Sequence, residues 1–329
     1  MKNFDYLNSS SKRKFLNILG VSLVGSLGYG IFGLYKKDIH KSYWSGSMLG
    51  APSKLEIHSS DKKLNTYLIS EIEKLVTKYE NIFNLQNRKS EISYLNANKY
   101  IDAPSPELVE VIKKSKFISA ETNGLFDITV QPLWELYYNH FIINNNVSPI
   151  EKSKLKETLK LVDWNNVIVE ENRVYLNNKS SITLNGIAQG WITDQITLLL
   201  AKNGFTNTLV DFGESYASGM YENKRPWNIL IKGKNIEEVI SLSNKAIATS
   251  GGYGTIFEST MKNHHIFNTK TGSSSNNFKA VSVISNEAWL SDALSTASLS
   301  MKKENLKKIS KRLGTKTIIQ ENKNFIDIS

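Results

Sequence analysis

The chain has no cysteine among its 329 residues, which excludes disulfides, thiolate metal sites, a cysteine nucleophile and a lipidated cysteine after an export segment. Any metal must therefore be held by oxygen or imidazole. Histidine is nearly as scarce, with five in all, and two of them stand together in HHIFNTKTG, His264 to Gly272. Internal repeats, low-complexity tracts, a dinucleotide fingerprint and a Walker loop are also missing. The nearest approach, Gly186-x-x-x-Gly190, has the spacing of neither phosphate motif. A net charge of +10 would suit nucleic acid, but the lysines are scattered and no aromatic-basic module accompanies them, so no nucleic acid is expected as a partner.

What is present is hydrophobic content of 40%, enough for a proper core, and one segment of different texture. After the basic cluster SKRK, Ser11 to Lys14, an uncharged run from Phe15 to Tyr35 precedes Lys36 and Lys37. A charged stretch followed by an apolar one is the layout of an export signal, and the run approaches the roughly 20 residues that span a bilayer. SKRKFLN resembles the twin-arginine export motif, with Lys12 in place of the first arginine. Residues 1–37 are therefore read as an export signal or membrane anchor. The rest is expected to be exported, periplasmic or held at the outer face of the inner membrane. Residues 38–47 read as a linker and 48–329 as one domain.

Within that domain the apolar positions Leu64, Leu68, Ile72, Leu75, Val76 and Tyr79 recur at the helical period and predict a helix over 62–83. A second helix is expected from Pro106, and a third opened by Ser148 and Pro149. Short β-branched runs follow, NVIVE, RVYL, NTLVDF, WNILIKG and KAVSVIS, without the regular strand–helix rhythm of a doubly wound sheet. The fold class is α+β, with mixed or antiparallel sheets and flanking helices.

Four stretches can carry chemistry, and each has a plain structural alternative. ETNGLFDITVQPLW, Glu121 to Trp134, reads as a helix ending at Asn123-Gly124 before a strand-like run. LNGIAQGWITDQITLLLAKNG, Leu184 to Gly204, is a glycine turn entering a helix, a place where exposed amides attract phosphate. AIATSGGYGTIFE offers a tight turn at Thr249 to Gly252, with His265 on a following strand. Adjacent histidines on a strand point to opposite faces, so His264 and His265 do not suit one metal, and one inward histidine remains as a base. In AWLSDALSTASLSM, Asp292 and Thr296 are four apart, which places a carboxylate and a hydroxyl on one helix face, both oxygen donors suited to Mg2+.

In this order the stretches resemble the FAD:protein FMN transferases, the ApbE-like flavin transferase family, from about Met48 to the Ala288–Met301 segment. The resemblance is carried by SMLGAP at Ser47 to Pro52, SEISYLN from Ser90, the run from Thr122 to Leu133, and GIAQGWITD from Gly186 to Asp194. ATSG at Ala248 to Gly251, HIFNTKTG and DALSTAS complete it. It implies a single ApbE-like domain that binds FAD and Mg2+. The FMN half of FAD would move to a threonine or serine hydroxyl of an exported target bearing a Ser/Thr-Gly-Ala-Ser/Thr motif, with release of AMP. By the same resemblance the metal is held by Asp292, Thr296 and a backbone carbonyl near Gly186. The flavin half is met by Met48, Leu125, Phe126, Asp127, Thr183, Gln189 and Ile266. His265 is the candidate for taking the acceptor's proton, since an unperturbed histidine titrates near neutrality.

The chain departs from the family's usual pattern at several points. Gln189 stands for a lysine or acidic residue, Gln86 for a tyrosine that contacts flavin, and VDFGES from Val210 for VNLGGD. SGGYG lacks an acidic residue before the tyrosine, and Asn268 and Thr269 stand for aspartate and proline. Two alternatives to transfer follow: FAD hydrolysis to FMN and AMP, and a non-catalytic FAD-binding assembly factor.

Overall fold

A computed structural model describes residues 40–59, 61–222 and 224–329, so the export-signal or anchor reading of residues 1–37 lies outside the described residues. Residues 40–47 of the stretch expected as a linker are instead strand. β1 (His40–Met48) pairs antiparallel with β2 (Ala51–Ser59), Met48 opposite Ala51. The two-residue turn between them has Leu49 at φ 51° and Gly50 at φ 84°, positive at both positions as a type I′ hairpin turn requires. Trp44 anchors β1 by stacking on Phe212, ring centroids 5.0 Å apart. Gly46 makes room for the ring, because a Cβ there would come within 2.8 Å of it. Serine and glycine give this segment a linker's composition, and a distant aromatic partner makes it sheet.

α1 (Lys62–Phe83) is capped by Asp61 and buries Leu68, Ile72 and Tyr79, as its periodicity predicts. α2 (Glu91–Asn98), β3 (Tyr100–Asp102) and α3 (Pro106–Glu121) follow, with Ser105 accepting from the Leu108 N–H at 3.2 Å ahead of α3. The run after Gly124, expected to be strand-like, is a 3-10 turn over Ile128–Val130 that continues as α4 (Gln131–Tyr137). Asp127 caps the turn, and Pro132 falls in the first helical turn, where its missing N–H is not needed. The third helix does not open at Ser148 and Pro149. It is α5 (Lys152–Leu159), while the Ser148 carbonyl accepts from the His140 ring at 2.7 Å.

β4 (Val167–Val169) and β5 (Arg173–Leu176) join β3 in a three-stranded sheet of order β3-β5-β4. Then come α6 (Ala188–Lys202), β6 (Thr208–Asp211), β7 (Ser215–Ser218), the hairpin β8 (Trp227–Lys232) and β9 (Glu237–Leu242), and β10 (Lys245–Ser250). β11 (Val281–Ser285), α7 (Ala288–Ser298), α8 (Lys303–Leu313), β12 (Lys316–Glu321) and β13 (Asn324–Asp327) complete the chain.

The main sheet has eight strands in the order β1-β2-β6-β7-β10-β11-β12-β13, each pair antiparallel. Its alternating residues sort to two faces. Val281, Val283 and Ile319 enter the large core with α1, α6 and α7, whereas Ile247, Ile284 and Ile318 pack with Ile229 and Ile231 of the β8–β9 hairpin. A third cluster of Leu133, Tyr137, Phe141, Phe257 and Phe267 lies apart from both. This is the α+β arrangement the sequence predicts. Among the described residues no helix is long and apolar enough to cross a membrane.

Candidate active site

α6 and α7 cross at Gly190, where a Cβ would lie 2.4 Å from the Ala288 carbonyl oxygen and 2.8 Å from Asp292 Cβ. Only glycine allows this approach, and its N–H donates to Asp292 Oδ2 at 3.0 Å. One turn further along α6, Asp194 accepts from the Ala288 and Trp289 N–H groups at 2.8 and 3.0 Å and so caps α7. Each helix thus fixes the other, and Asp292 is held at the contact with 4% of its surface exposed.

Burial pushes the Asp292 carboxyl well above the usual carboxylate range; Asp194 adds to this and the Gly190 bond opposes it. Burial likewise raises Asp194 to about 7, against its two backbone bonds. Glu214 is raised by burial and by the nearby charges of Asp292 and Asp211. Among the described residues no cationic side chain acts on Asp292 or Glu214. Carboxylates that oppose one another's ionisation in this way gain from a bound cation.

Thr296, one turn beyond Asp292, faces the Gly186 turn. A Cβ on Gly186 would lie 3.2 Å from Thr296 Oγ1 and 3.5 Å from the Phe126 ring. Ser250, at the end of β10, reaches the same place, with its Oγ 3.3 Å from Thr296 Oγ1 and 2.7 Å from Ser295 Oγ. The Thr296 and Ser250 hydroxyls beside the Gly186 turn, with the Asp292 carboxylate one helical turn back, are oxygen donors of the kind Mg2+ takes. Among the described residues no three His, Asp or Glu side chains gather into a metal cluster, so a cation here would complete its shell with hydroxyl, carbonyl and water oxygens.

The residues expected against the flavin divide by environment. Phe126 and Ile266 are buried and Leu125 packs at the edge of the same core. Thr183 Oγ1 accepts from the Asn185 N–H at 3.3 Å, just before the Gly186 turn. Met48 is fully buried, and its carbonyl accepts from Gln189 Nε2 at 3.2 Å while the Gln189 amide covers Gly213. Gln189, where a charge is usual, therefore ties α6 to the end of β1. Asp127 is turned inward: Oδ1 accepts from the Thr129 N–H and hydroxyl at 2.8 and 2.6 Å, and Oδ2 from the Trp164 N–H at 2.9 Å. Its carboxyl, raised by burial to about 6, braces the loop that presents Phe126.

The paired histidines have unlike surroundings. His264 is buried, with Nε2–H donating to the Ser275 carbonyl at 2.9 Å and Nδ1 accepting from the Ile266 N–H at 3.3 Å. Neither nitrogen is left for a metal. His265 is half-buried, and its Nδ1 lies 3.1 Å from the Thr255 carbonyl. A carbonyl can only accept, so Nδ1 carries the proton and Nε2 keeps a lone pair. His265 does not titrate near neutrality as an unperturbed histidine would: desolvation lowers it to about 4 against the Thr255 bond. The imidazole is neutral at pH 7, and the negative phosphates of a bound nucleotide would raise its basicity.

The rest of HHIFNTKTG is a turn docked on the Gly124 loop. Asn268 Oδ1 accepts from the Lys270 N–H at 2.9 Å, the Asn268 carbonyl from the Gly272 N–H at 2.8 Å, and the Thr269 hydroxyl donates to the Gly124 carbonyl. Asparagine closes this turn with the same oxygen that aspartate would use. Sequence reasoning did not single out Ser250, Gly190 or Glu214 as neighbours of Asp292 and Thr296, since each lies more than 40 positions from them and no local pattern links them.

The ApbE family model matches residues 49–319. Over 248 residues the chain is 27% identical to a protein of Vibrio cholerae serotype O1 named FAD:protein FMN transferase, covering 72% of this chain and 74% of that relative. The flavin transferase ApbE from Vibrio cholerae superposes with a TM-score of 0.74 at 22% identity, over 88% of this chain and 97% of that one. The ApbE protein of Thermotoga maritima gives 0.75 at 26% identity, over 88% and 97%.

Proposed function

The chain belongs to the ApbE family and is a flavin transferase, and on that premise we propose that it moves the FMN half of FAD onto a serine or threonine hydroxyl of exported proteins, with Mg2+ and with release of AMP. The observation that carries this reading is the short segment Ser250–Gly254. Ser250 lies against Thr296 at one end, and Gly254 sits under the His265 ring at the other, where a Cβ would be 3.2 Å from Cε1. Five residues thus join the Ser250 and Thr296 hydroxyls to a neutral histidine whose Nε2 makes no hydrogen bond among the described residues.

The residue roles follow. Asp292, Thr296 and a carbonyl of the Gly186 turn would hold Mg2+, which supplies charge neutralisation at the pyrophosphate. Phe126, Leu125 and Ile266 offer apolar surface to the flavin half. His265 Nε2 takes the proton of the acceptor hydroxyl as its oxygen attacks the FMN-side phosphorus. The new oxygen–phosphorus bond replaces the bond to the bridging oxygen, which departs with AMP, and the proton passes from His265 to solvent. FAD and a hydroxyl become an FMN ester and AMP, with no oxidant or reductant needed. Gln189 and Asn268 each have a defined hydrogen-bonding role, so neither replacement by itself marks a decayed site.

The test is mass spectrometry of a peptide containing Ser-Gly-Ala-Thr after incubation with the enzyme, FAD and Mg2+. One FMN added to the peptide, with AMP released in step, is the expected result. AMP release at the same rate without peptide would identify hydrolysis instead, and FAD binding with no AMP under any condition would identify a binding protein.

A further inference from the structure

We propose that the cleft between the Tyr138–Ile143 segment and the Thr255–His265 hairpin receives the acceptor, an extended polypeptide segment bearing the hydroxyl to be modified. The inference rests on the transfer reading and adds the place of the second substrate. The cleft has a volume of about 810 Å3, and none of the residues assigned to metal or flavin lines it. That size is ample for several side chains of a peptide.

Its position relative to His265 follows from the backbone bonds of this hairpin. The His265 N–H donates to the Thr255 carbonyl at 3.1 Å and the Phe257 N–H to the Asn263 carbonyl at 2.9 Å, on either side of the Ile256–His264 bridge. Asn263 precedes His265 by two residues and its carbonyl accepts from Phe257, so both lie within about 7 Å of His265 along the backbone. Both residues line the cleft. A chain lying there brings a neighbouring hydroxyl within reach of His265.

The lining matches an extended chain. The rings of Tyr137, Phe141 and Phe257 offer an apolar floor, and the side-chain amides of Asn145, Asn146 and Asn263 offer donors and acceptors for peptide groups. The hairpin tip is set in advance, because the Glu258 carboxylate accepts from the Thr260, Lys262 and Asn263 N–H groups at 2.6, 2.9 and 2.9 Å. At the mouth the chain turns through a π-helical segment, Tyr138–Ile143, a feature frequent at functional sites. Ile142, Ile143 and Val147 are left 44%, 62% and 97% exposed there. Ile142 and Val147 also line the cleft, so an entering chain would meet exposed apolar side chains at its mouth.

The experiment compares Val147→Asp and Ile142→Asp with the unaltered protein, using FAD, Mg2+ and the Ser-Gly-Ala-Thr peptide as acceptor. Both side chains already meet solvent, so neither change removes core packing. The expected result is a KM for the peptide raised at least about tenfold, with kcat at saturating peptide and the affinity for FAD unchanged. An unchanged KM in both variants overturns the assignment. A change in sedimentation with unchanged KM overturns it too and marks the patch as a contact between copies of the chain. If the unaltered protein labels no peptide while binding FAD, the transfer reading itself fails and the acceptor cleft falls with it.

Discussion

Gly190 and Asp292 meet where α6 crosses α7, the glycine amide donating to Asp292 Oδ2 at 3.0 Å with no space left for a Cβ. Gly190→Ala would drive a methyl into the Ala288 carbonyl at 2.4 Å, and backbone cannot swing away as a side-chain tip can. The expected cost is about 1–3 kcal/mol of stability, together with displacement of α7. Urea unfolding reads the first effect. Mg2+-dependent transfer, which should fall further than stability alone explains, reads the second.

The two histidines should separate stability from chemistry. His264→Ala removes a buried ring that bonds Ser275 and Ile266 and packs against Gly252, at an expected cost of about 2–4 kcal/mol. His265→Ala should stay within about 1 kcal/mol of the unaltered protein yet slow transfer by about 100-fold or more while FAD still binds. Thermal unfolding beside single-turnover kinetics distinguishes them. A pure loss of FAD affinity in His265→Ala would make it a pocket residue instead.

Asn268 acts through one oxygen. Asn268→Asp keeps an acceptor for the Lys270 N–H and should leave both stability and rate nearly unchanged. Asn268→Ala opens the turn and should cost about 1 kcal/mol. If Asn268→Asp instead raised the rate several-fold, a carboxylate at this position would have a role beyond the turn.

The Asp194 carboxyl, raised by burial to about 7, loads the folded state with a pH-dependent cost. Its folded pKa exceeds the ordinary value of 3.8, so the folded protein keeps a proton that the unfolded chain releases, and this contribution weakens as pH rises from about 4 to 7. His265, lowered to about 4 from 6.5, has the opposite slope over part of that window, so the whole-protein curve is not the readout. The readout is the difference between Asp194→Asn and the unaltered, metal-free protein. It should move in the variant's favour by on the order of 3 kcal/mol between pH 4 and pH 8 and then level off. A pH-independent difference in urea midpoints would refute the assignment.

Much of the framework was legible from residue spacing. The apolar period of α1, the Ser105-Pro106 start of α3 and the Asp292-x-x-x-Thr296 pair on α7 are local patterns, and the helices form where those patterns lie. Where local composition misled, a distant contact had intervened. The Ser- and Gly-rich β1 is held by Trp44 on Phe212, and the strand-like FDITV is turned helical by the Asp127 cap.

The sequence by itself determined the α+β class, the family-like order of motifs and which residues share a helix face, because these follow from covalent spacing and the helical or strand period. Only the tertiary structure decided what meets those faces. Gly190 at Asp292, Ser250 at Thr296 and Glu214 near Asp292 come from separate elements brought together by burial of the core. So does the lowered basicity of His265, since desolvation depends on which groups pack around a side chain and no local pattern encodes that.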